Sequence, residues 1–461
     1  MEIWIKAAQL FLSLAILVSL HELGHFIPAK LFKTRIEKFY LFFNPGFSLF
    51  RYKRINGIKK YSWFTKESPK EWKEDESTTE WGVGWLPLGG YVKIAGMIDE
   101  SMDTEHLNKE PEPWEFRSKP AWQRLIIMLG GIAVNIFLGF AIYAMVAFVW
   151  GKTVLTNENL PNGFEVAEVI KPYGFKDGDK ILQVNGEALE DARDINKYLF
   201  LRDVSEVSVE HLNGNKENIS IPDNIGTIMF ENGAIRAFNP FWVPAILDSI
   251  VPNSPAYNSG FLKGDRIVKV NGNDVVKWEE FTEQVKANTT QNIDIDIKRG
   301  NEIISNTVTL NDNNQIGVYV LEPGNLTPTT LKYSFVESIN DGFDRAYWEL
   351  LDYVGQFKYI FTEKGASQLG GFAAIGNLFP AEWNWKDFWE TTALLSIILA
   401  FMNALPIPAL DGGHVMFLMY EVVTGSKPND KFMEYAQITG FFLLMALVIY
   451  ANGNDVVRYL F

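Results

Sequence analysis

Residues 7–25 read Ala7-Ala8-Gln9-Leu10-Phe11-Leu12-Ser13-Leu14-Ala15-Ile16-Leu17-Val18-Ser19-Leu20-His21-Glu22-Leu23-Gly24-His25. The apolar segment around them runs from about residue 5 to residue 32, long enough to cross a bilayer as a helix. One helical turn separates His21 from His25, so both imidazoles share a face and can reach one zinc ion, while Glu22 can act as general base on a metal-held water. The plain alternative is a chance match inside a transmembrane helix. Two histidines and a glutamate are costly to bury there, however, and ionisable groups within a membrane usually mark function. Histidine is also scarce, five in 461 residues.

A cleavable signal peptide does not fit this segment. Its single lysine, Lys6, is balanced by Glu2, and no small-residue cleavage site follows. Lys30, Lys33 and Arg35 follow the apolar run, which places its C-terminal end in the cytoplasm and the histidines toward that side. The length suits three or four units of ordinary domain size. A net charge of −14 without a long basic stripe argues against a nucleic-acid partner. With no cysteine there can be neither disulfides nor thiolate zinc sites.

Beyond the first segment, residues 33–119 form a mixed-charge loop whose middle, 66–80, is polar and expected to be mobile. The glycine-rich apolar stretch 82–96 within it fits an ordinary hairpin and a re-entrant β-loop equally well. The second arrangement requires its backbone to be covered by protein or a wet cavity. A second span is expected over residues 121–150, with Lys119 and Arg124 at its cytoplasmic start. Gly131, Asn135 and Gly139 recur every four residues on one of its faces. Small-residue helix packing explains the glycines, but the Asn135 amide needs a partner in the bilayer.

Residues 151–322 are soluble in character and contain a repeat. Gly174-Phe175-Lys176-Asp177-Gly178-Asp179-Lys180-Ile181-Leu182-Gln183-Val184-Asn185-Gly186 recurs as Gly260-Phe261-Leu262-Lys263-Gly264-Asp265-Arg266-Ile267-Val268-Lys269-Val270-Asn271-Gly272. Each copy reads as a turn, an alternating strand and an Asn-Gly turn. Both resemble the signature of PDZ domains, which capture peptides by adding a strand to a sheet edge. In the first copy only Lys171-Pro172-Tyr173 separate Ile170 from Gly174, so a short helix of the family is expected to be missing. Peptide capture and a purely screening role both remain open for the pair.

Spaced aromatics among acids over residues 333–361 suggest an amphipathic helix at the outer membrane boundary, followed by a glycine-rich loop at 365–380. A third span over about 388–407 ends in Asn403-Ala404-Leu405-Pro406-Ile407-Pro408-Ala409-Leu410-Asp411-Gly412-Gly413-His414. The prolines break the helix, and broken helices in membranes commonly line polar sites. A catalytic zinc needs a third protein ligand. Asp411 is the candidate carboxylate, its plain alternative being a helix cap, and His414 is the other candidate ligand. A fourth span is expected over about 432–451.

His21-Glu22-Leu23-Gly24-His25, Gly131 with Asn135, and Asn403 through Gly412 together resemble the site-2 protease family of intramembrane zinc metalloproteases. Residues 116–124 and 86–93 resemble it as well. Gly131-Ile132 stands where the family usually has Gly-Pro. The resemblance implies one zinc ion per chain held by His21, His25 and Asp411, with Glu22 as catalytic base and acid and Asn403 holding the substrate. It makes residues 84–96, with Gly89, Gly90, Tyr91 and Val92, a re-entrant β-loop that pairs with an unwound substrate.

The fold class expected is an α-helical membrane protein with four transmembrane helices and a re-entrant β-loop, carrying two inserted α+β PDZ domains. The expected divisions are a membrane region at 1–150, PDZ domains at 151–235 and 236–322, an interfacial helix and loop at 323–385 and a second membrane region at 386–461. Substrates would be single-pass membrane proteins already trimmed by another protease, such as anti-sigma factors or remnant signal peptides, cut in regulated intramembrane proteolysis. The bilayer and peptide ligands of the PDZ domains would be the other partners, with no nucleic acid. The protein would sit in a bacterial inner membrane with its PDZ domains and both termini periplasmic and its active site toward the cytoplasmic side. The rival from a different class is a non-catalytic membrane PDZ adaptor, which would not need His21, His25 and Asp411 together. A transporter is disfavoured because no paired, repeated broken helices occur.

Overall fold

The computed structural model describes residues 2–74, 78–87, 89–97, 110–300, 302–311, 313–320 and 326–460. They form two compact units, one of residues 1–151 with 332–461 and the other of residues 152–331.

Six helices of fourteen residues or more build the first unit: α1 (Glu2–Leu31), α2 (Ala121–Trp150), α3 (Phe335–Ile360), α4 (Trp385–Ala404), α5 (Asp411–Thr424) and α6 (Asp430–Leu460). Among the described residues, α1, α2 and α6 are long and apolar enough to cross a membrane. The stretch expected as a third span does form a helix, α4, but Lys386, Asp387, Glu390 and Asn403 keep it outside that class. Punctuation in the sequence sets the ends. Pro120 precedes α2, and Gly151, at φ 77°, closes it by donating its N–H to the Ala147 carbonyl. The Asn384 side chain accepts from the Lys386 and Asp387 N–H groups and so caps α4. Ser334 and Glu337 form a capping box at the start of α3.

Glycine brings α1 and α2 into backbone contact. A Cβ on Gly24 would lie 2.4 Å from the Gly130 carbonyl oxygen, and one on Gly130 only 2.0 Å from that of Gly24. Close crossings of this kind depend on small residues. Residues 365–380, expected as a loop, instead hold two short helices, Glu363–Gln368 and Phe372–Gly376. Their polar ends are met by α6: Asn454 donates to the Ala366 and Leu369 carbonyls, and Asp455 accepts from the Ala373 and Ala374 N–H groups. The sequence pattern around 365–380 did not disclose these partners because they lie some 80 residues away.

Between α1 and α2 lies a five-stranded sheet of β1 (Ile36–Leu41), β2 (Ser48–Ile55), β3 (Ile58–Thr65), β4 (Glu80–Val83) and β5 (Tyr91–Ile94), in the order β3-β2-β4-β1-β5. Strands β4 and β5 are not paired with each other. They flank β1, β4 running parallel to it and β5 antiparallel, so residues 82–96 are not a self-contained hairpin. Leu88, within that stretch, lies outside the described residues. β5 is an edge strand. The described part of 66–80 is tied down rather than loose: the Glu80 carboxylate accepts from Tyr40, Ser68 and Arg51 in a buried network. A buried charge pair persists when its remaining hydrogen-bonding capacity is filled in this way.

The second unit has two hydrophobic cores, one around Phe164, Phe175, Val207 and Phe238, the other around Phe261, Ile267, Ile295 and Val308. The repeat is built the same way twice. Gly178 and Gly264 donate to the Phe164 and Leu247 carbonyls, and Asp179 and Asp265 accept from the Lys176 and Leu262 N–H groups. Strands Lys180–Val184 and Arg266–Val270 follow, and each ends in an Asn-Gly turn with both residues at positive φ. The expected difference between the copies is present: the second has a helical turn at Pro255–Asn258, the first only a 3₁₀ turn at Lys171–Tyr173. Trp242, which is buried, donates its indole N–H to the Gly163 carbonyl, and Lys277 pairs with Glu165, linking the copies. The expected boundary at 322 lies in residues 321–325, outside the described ones.

Candidate active site

His21 and His25 lie on the buried face of α1. Their Nε2 atoms are 3.3 Å apart, and the Asp411 Oδ2 atom at the start of α5 lies 3.2 Å from the first and 3.3 Å from the second. Among the described residues this is the one group of three such side chains placed to hold a metal. Tetrahedral ligands at zinc distances of about 2.0–2.1 Å stand about 3.3 Å from one another. The triangle has that size. Asp411 Oδ2 is moreover buried with no hydrogen-bond partner among the described residues, so a zinc ion fits the donor set.

The bend after α4 delivers Asp411. Leu405 and Pro406 end the helix, Ala409 takes φ 78°, and α5 begins at Asp411. Gly412 and Gly413 permit the fold-back, since a Cβ on either would meet the Leu405 or Ile407 carbonyl oxygen at 2.1 and 2.6 Å. The His25 Nδ1–H donates to the Ile127 carbonyl at 2.9 Å, and the Asn135 amide nitrogen lies 3.1 Å from His21 Nδ1. Second contacts of this kind orient metal-binding imidazoles. Asn403 Nδ2 lies 3.4 Å from His21 Nε2, at the lip of the triangle. Glu22, next along α1, has the backbone N–H of Val92 in β5 near its carboxylate.

The structure thus brings His21, His25, Asp411, Asn403, Glu22 and Val92 together. Of the other β5-region residues named from sequence, Gly90 packs against α1, its Cβ position 3.1 Å from Val18 Cγ1. The Tyr91 ring stacks on Tyr40, and its hydroxyl donates to Asn44. Gly89 lies against the Phe43 ring. His414 does not join the triangle; it accepts from the Gln437 amide of α6. Sequence reasoning missed the Ile127 carbonyl and the clearance role of Gly131, whose Cβ position is 2.5 Å from His25 Nε2 and 2.6 Å from His21 Cε1. Adjacent glycines at 130 and 131 in an apolar helix were the available signal, whereas a backbone carbonyl leaves none.

The family model of peptidase family M50 matches residues 9–67 and 50–447 of the chain. The regulator of sigma E protease of Haemophilus influenzae is 28% identical over 471 residues, covering 97% of this chain and 97% of that protein. The regulator of sigma-E protease RseP of Escherichia coli K12 is 26% identical, covering 98% of each. A Neisseria meningitidis protein whose name carries the words zinc metalloprotease is 26% identical, covering 97% of this chain and 98% of its own length.

Proposed function

Since the chain belongs to peptidase family M50 and is a site-2-type zinc metalloprotease, we propose that His21, His25 and Asp411 hold one zinc ion per chain and that Glu22 is the proton carrier of an intramembrane peptide hydrolysis. The observation that carries the reading is the triangle of three metal-binding atoms, 3.2–3.3 Å on each side, with the Glu22 carboxyl one residue away from His21. Bound zinc supplies Lewis acidity to the scissile carbonyl and acidifies water from a pKa of 15.7 to about 7.

Glu22 takes the proton of the attacking water at its carboxylate and passes one to the leaving amine. The Val92 N–H lies near that carboxylate. Asn403 Nδ2 is a donor at the lip of the site, suited to a substrate carbonyl or its developing negative charge. A helical substrate must unwind before its carbonyls can be attacked, and its freed backbone groups then need partners. β5, an edge strand beginning at Tyr91 and touching Glu22 through Val92, offers them by strand addition. This is the role proposed for Gly89, Gly90, Tyr91 and Val92.

The finer assignments follow the same reading. Residues 386–461 contribute two spans, α4 as the third membrane helix in chain order and α6 as the fourth. Residues 151–235 and 236–322 are two PDZ domains, and the helix and loop at 323–385 form the interfacial region. The protein is a multi-pass protein of a bacterial inner membrane, with its PDZ domains and termini periplasmic. Its substrates are membrane-spanning segments of pre-trimmed single-pass proteins, of the anti-sigma or remnant signal-peptide kind. The PDZ domains screen these by size or bind peptides. The test is zinc content and cleavage of a single-pass substrate in detergent by wild type and Asp411→Ala. About one zinc per chain, lost with cleavage in the variant, is expected. Zinc held equally by the variant would remove Asp411 from the site.

A further inference from the structure

We propose that Asn135 is a positioning residue for the metal site: its side-chain oxygen accepts a hydrogen bond from His21 Nδ1–H and fixes His21 in the tautomer whose Nε2 lone pair faces His25 and Asp411. This rests on the assignment of those three residues as metal ligands.

A neutral imidazole carries one proton, and a ring nitrogen that bears it cannot bind a metal. For His25 the choice is made by the main chain. Its Nδ1 lies 2.9 Å from the Ile127 carbonyl, which can only accept, so the proton sits on Nδ1 and Nε2 is free. His21 must match. Its Nε2 faces His25 Nε2, Asp411 Oδ2 and Asn403 Nδ2, so its proton belongs on Nδ1. The polar group beside that nitrogen is the Asn135 amide, at 3.1 Å, with Nδ2 toward it. Two donors cannot face each other. Amide nitrogen and oxygen exchange places by a half-turn that moves no other atom. The half-turn breaks no hydrogen bond at Oδ1, because among the described residues no donor reaches that buried atom. Turned, the oxygen stands where the Nδ1–H needs an acceptor.

The amide is held in position. Asn135 is fully buried on α2, and its backbone carbonyl accepts from Ser396 Oγ of α4 at 2.7 Å. It therefore ties the His21 ring to two helices. Outer-shell partners of metal-binding histidines are worth about 10–100-fold in metal affinity.

The experiment is zinc affinity by chelator competition on the purified full chain, comparing wild type, Asn135→Leu, Asn135→Asp and His21→Ala. Nitrogen-15 NMR of histidine-labelled, zinc-loaded wild type accompanies it. Leucine removes the acceptor at nearly constant shape and should weaken zinc binding about 10–100-fold. Aspartate, which can accept but not donate when ionised, should restore affinity to within a few-fold of wild type. The spectrum should show His21 protonated on Nδ1. The proposal is overturned if Asn135→Leu binds zinc as wild type does, if Asn135→Asp is as weak as Asn135→Leu, or if His21 carries its proton on Nε2. The ligand assignment fails separately: wild type would then bind no zinc, or His21→Ala would bind it with undiminished affinity.

Discussion

Gly131→Ala should damage the metal site without touching a proposed ligand. The new Cβ would lie 2.5 Å from His25 Nε2 and 2.6 Å from His21 Cε1, against an ordinary contact distance beginning near 3.4 Å. The rings would have to retreat by about 0.9 Å, and metal sites tolerate shifts of about 0.2 Å. The helix cannot readily withdraw instead, because on the same turn Gly130 already touches the backbone of α1 at Gly24. Overpacking of this kind costs about 1–3 kcal/mol, which corresponds to zinc binding weaker by roughly 5- to 150-fold. Chelator competition on the purified chain measures it, with Gly139→Ala as the control. A Cβ at Gly139 meets mainly the movable end of the Ile397 side chain and should leave zinc affinity within about twofold of wild type. A Gly131→Ala variant that holds zinc as tightly as wild type would refute the argument that clearance at this glycine sets the ligand geometry.

Glu22→Gln should keep about one zinc per chain while cleavage falls by at least about 100-fold; turnover at the wild-type rate would remove Glu22 from the mechanism. In the second unit, burial by itself would lower the His211 pKa. Its hydrogen bonds with Asp179 and Glu217, at 2.6 and 2.9 Å, outweigh that and raise it above 6.5. Stabilisation by His211 is therefore full below about pH 6.5 and is lost as pH rises through the raised value. The difference in thermal midpoint between wild type and His211→Gln should accordingly shrink from pH 6 to pH 9, and a difference that grows would contradict the sign. Trp242→Ala should destabilise the second unit by about 3–5 kcal/mol in denaturant unfolding, since the buried indole fills space between the repeats and bonds Gly163; a loss under about 1 kcal/mol would mean that the indole links them without supporting them.

What the sequence determined by itself is local. His21 and His25 share a face because four residues make one turn, and the two prolines after Asn403 guarantee a bend before Asp411. The repeated Gly-Asp and Asn-Gly positions fixed the same turns in both halves of the second unit. Tertiary structure decided whatever depends on partners far along the chain. The glycine-rich stretch, which fitted a hairpin and a re-entrant β-loop equally well, became two strands flanking β1, because pairing is set by which edges meet and a strand carries no label for its neighbour. The loop at 365–380 became helical because Asn454 and Asp455 supply its polar contacts. Asp411 was legible as a candidate carboxylate, but only the return of α5 to α1 brought it within 3.3 Å of both imidazoles. The Ile127 carbonyl could not be read at all, because it belongs to the main chain that every residue shares; Gly131 was visible as one of two adjacent glycines, but the space it leaves gains meaning only from the imidazoles packed against it.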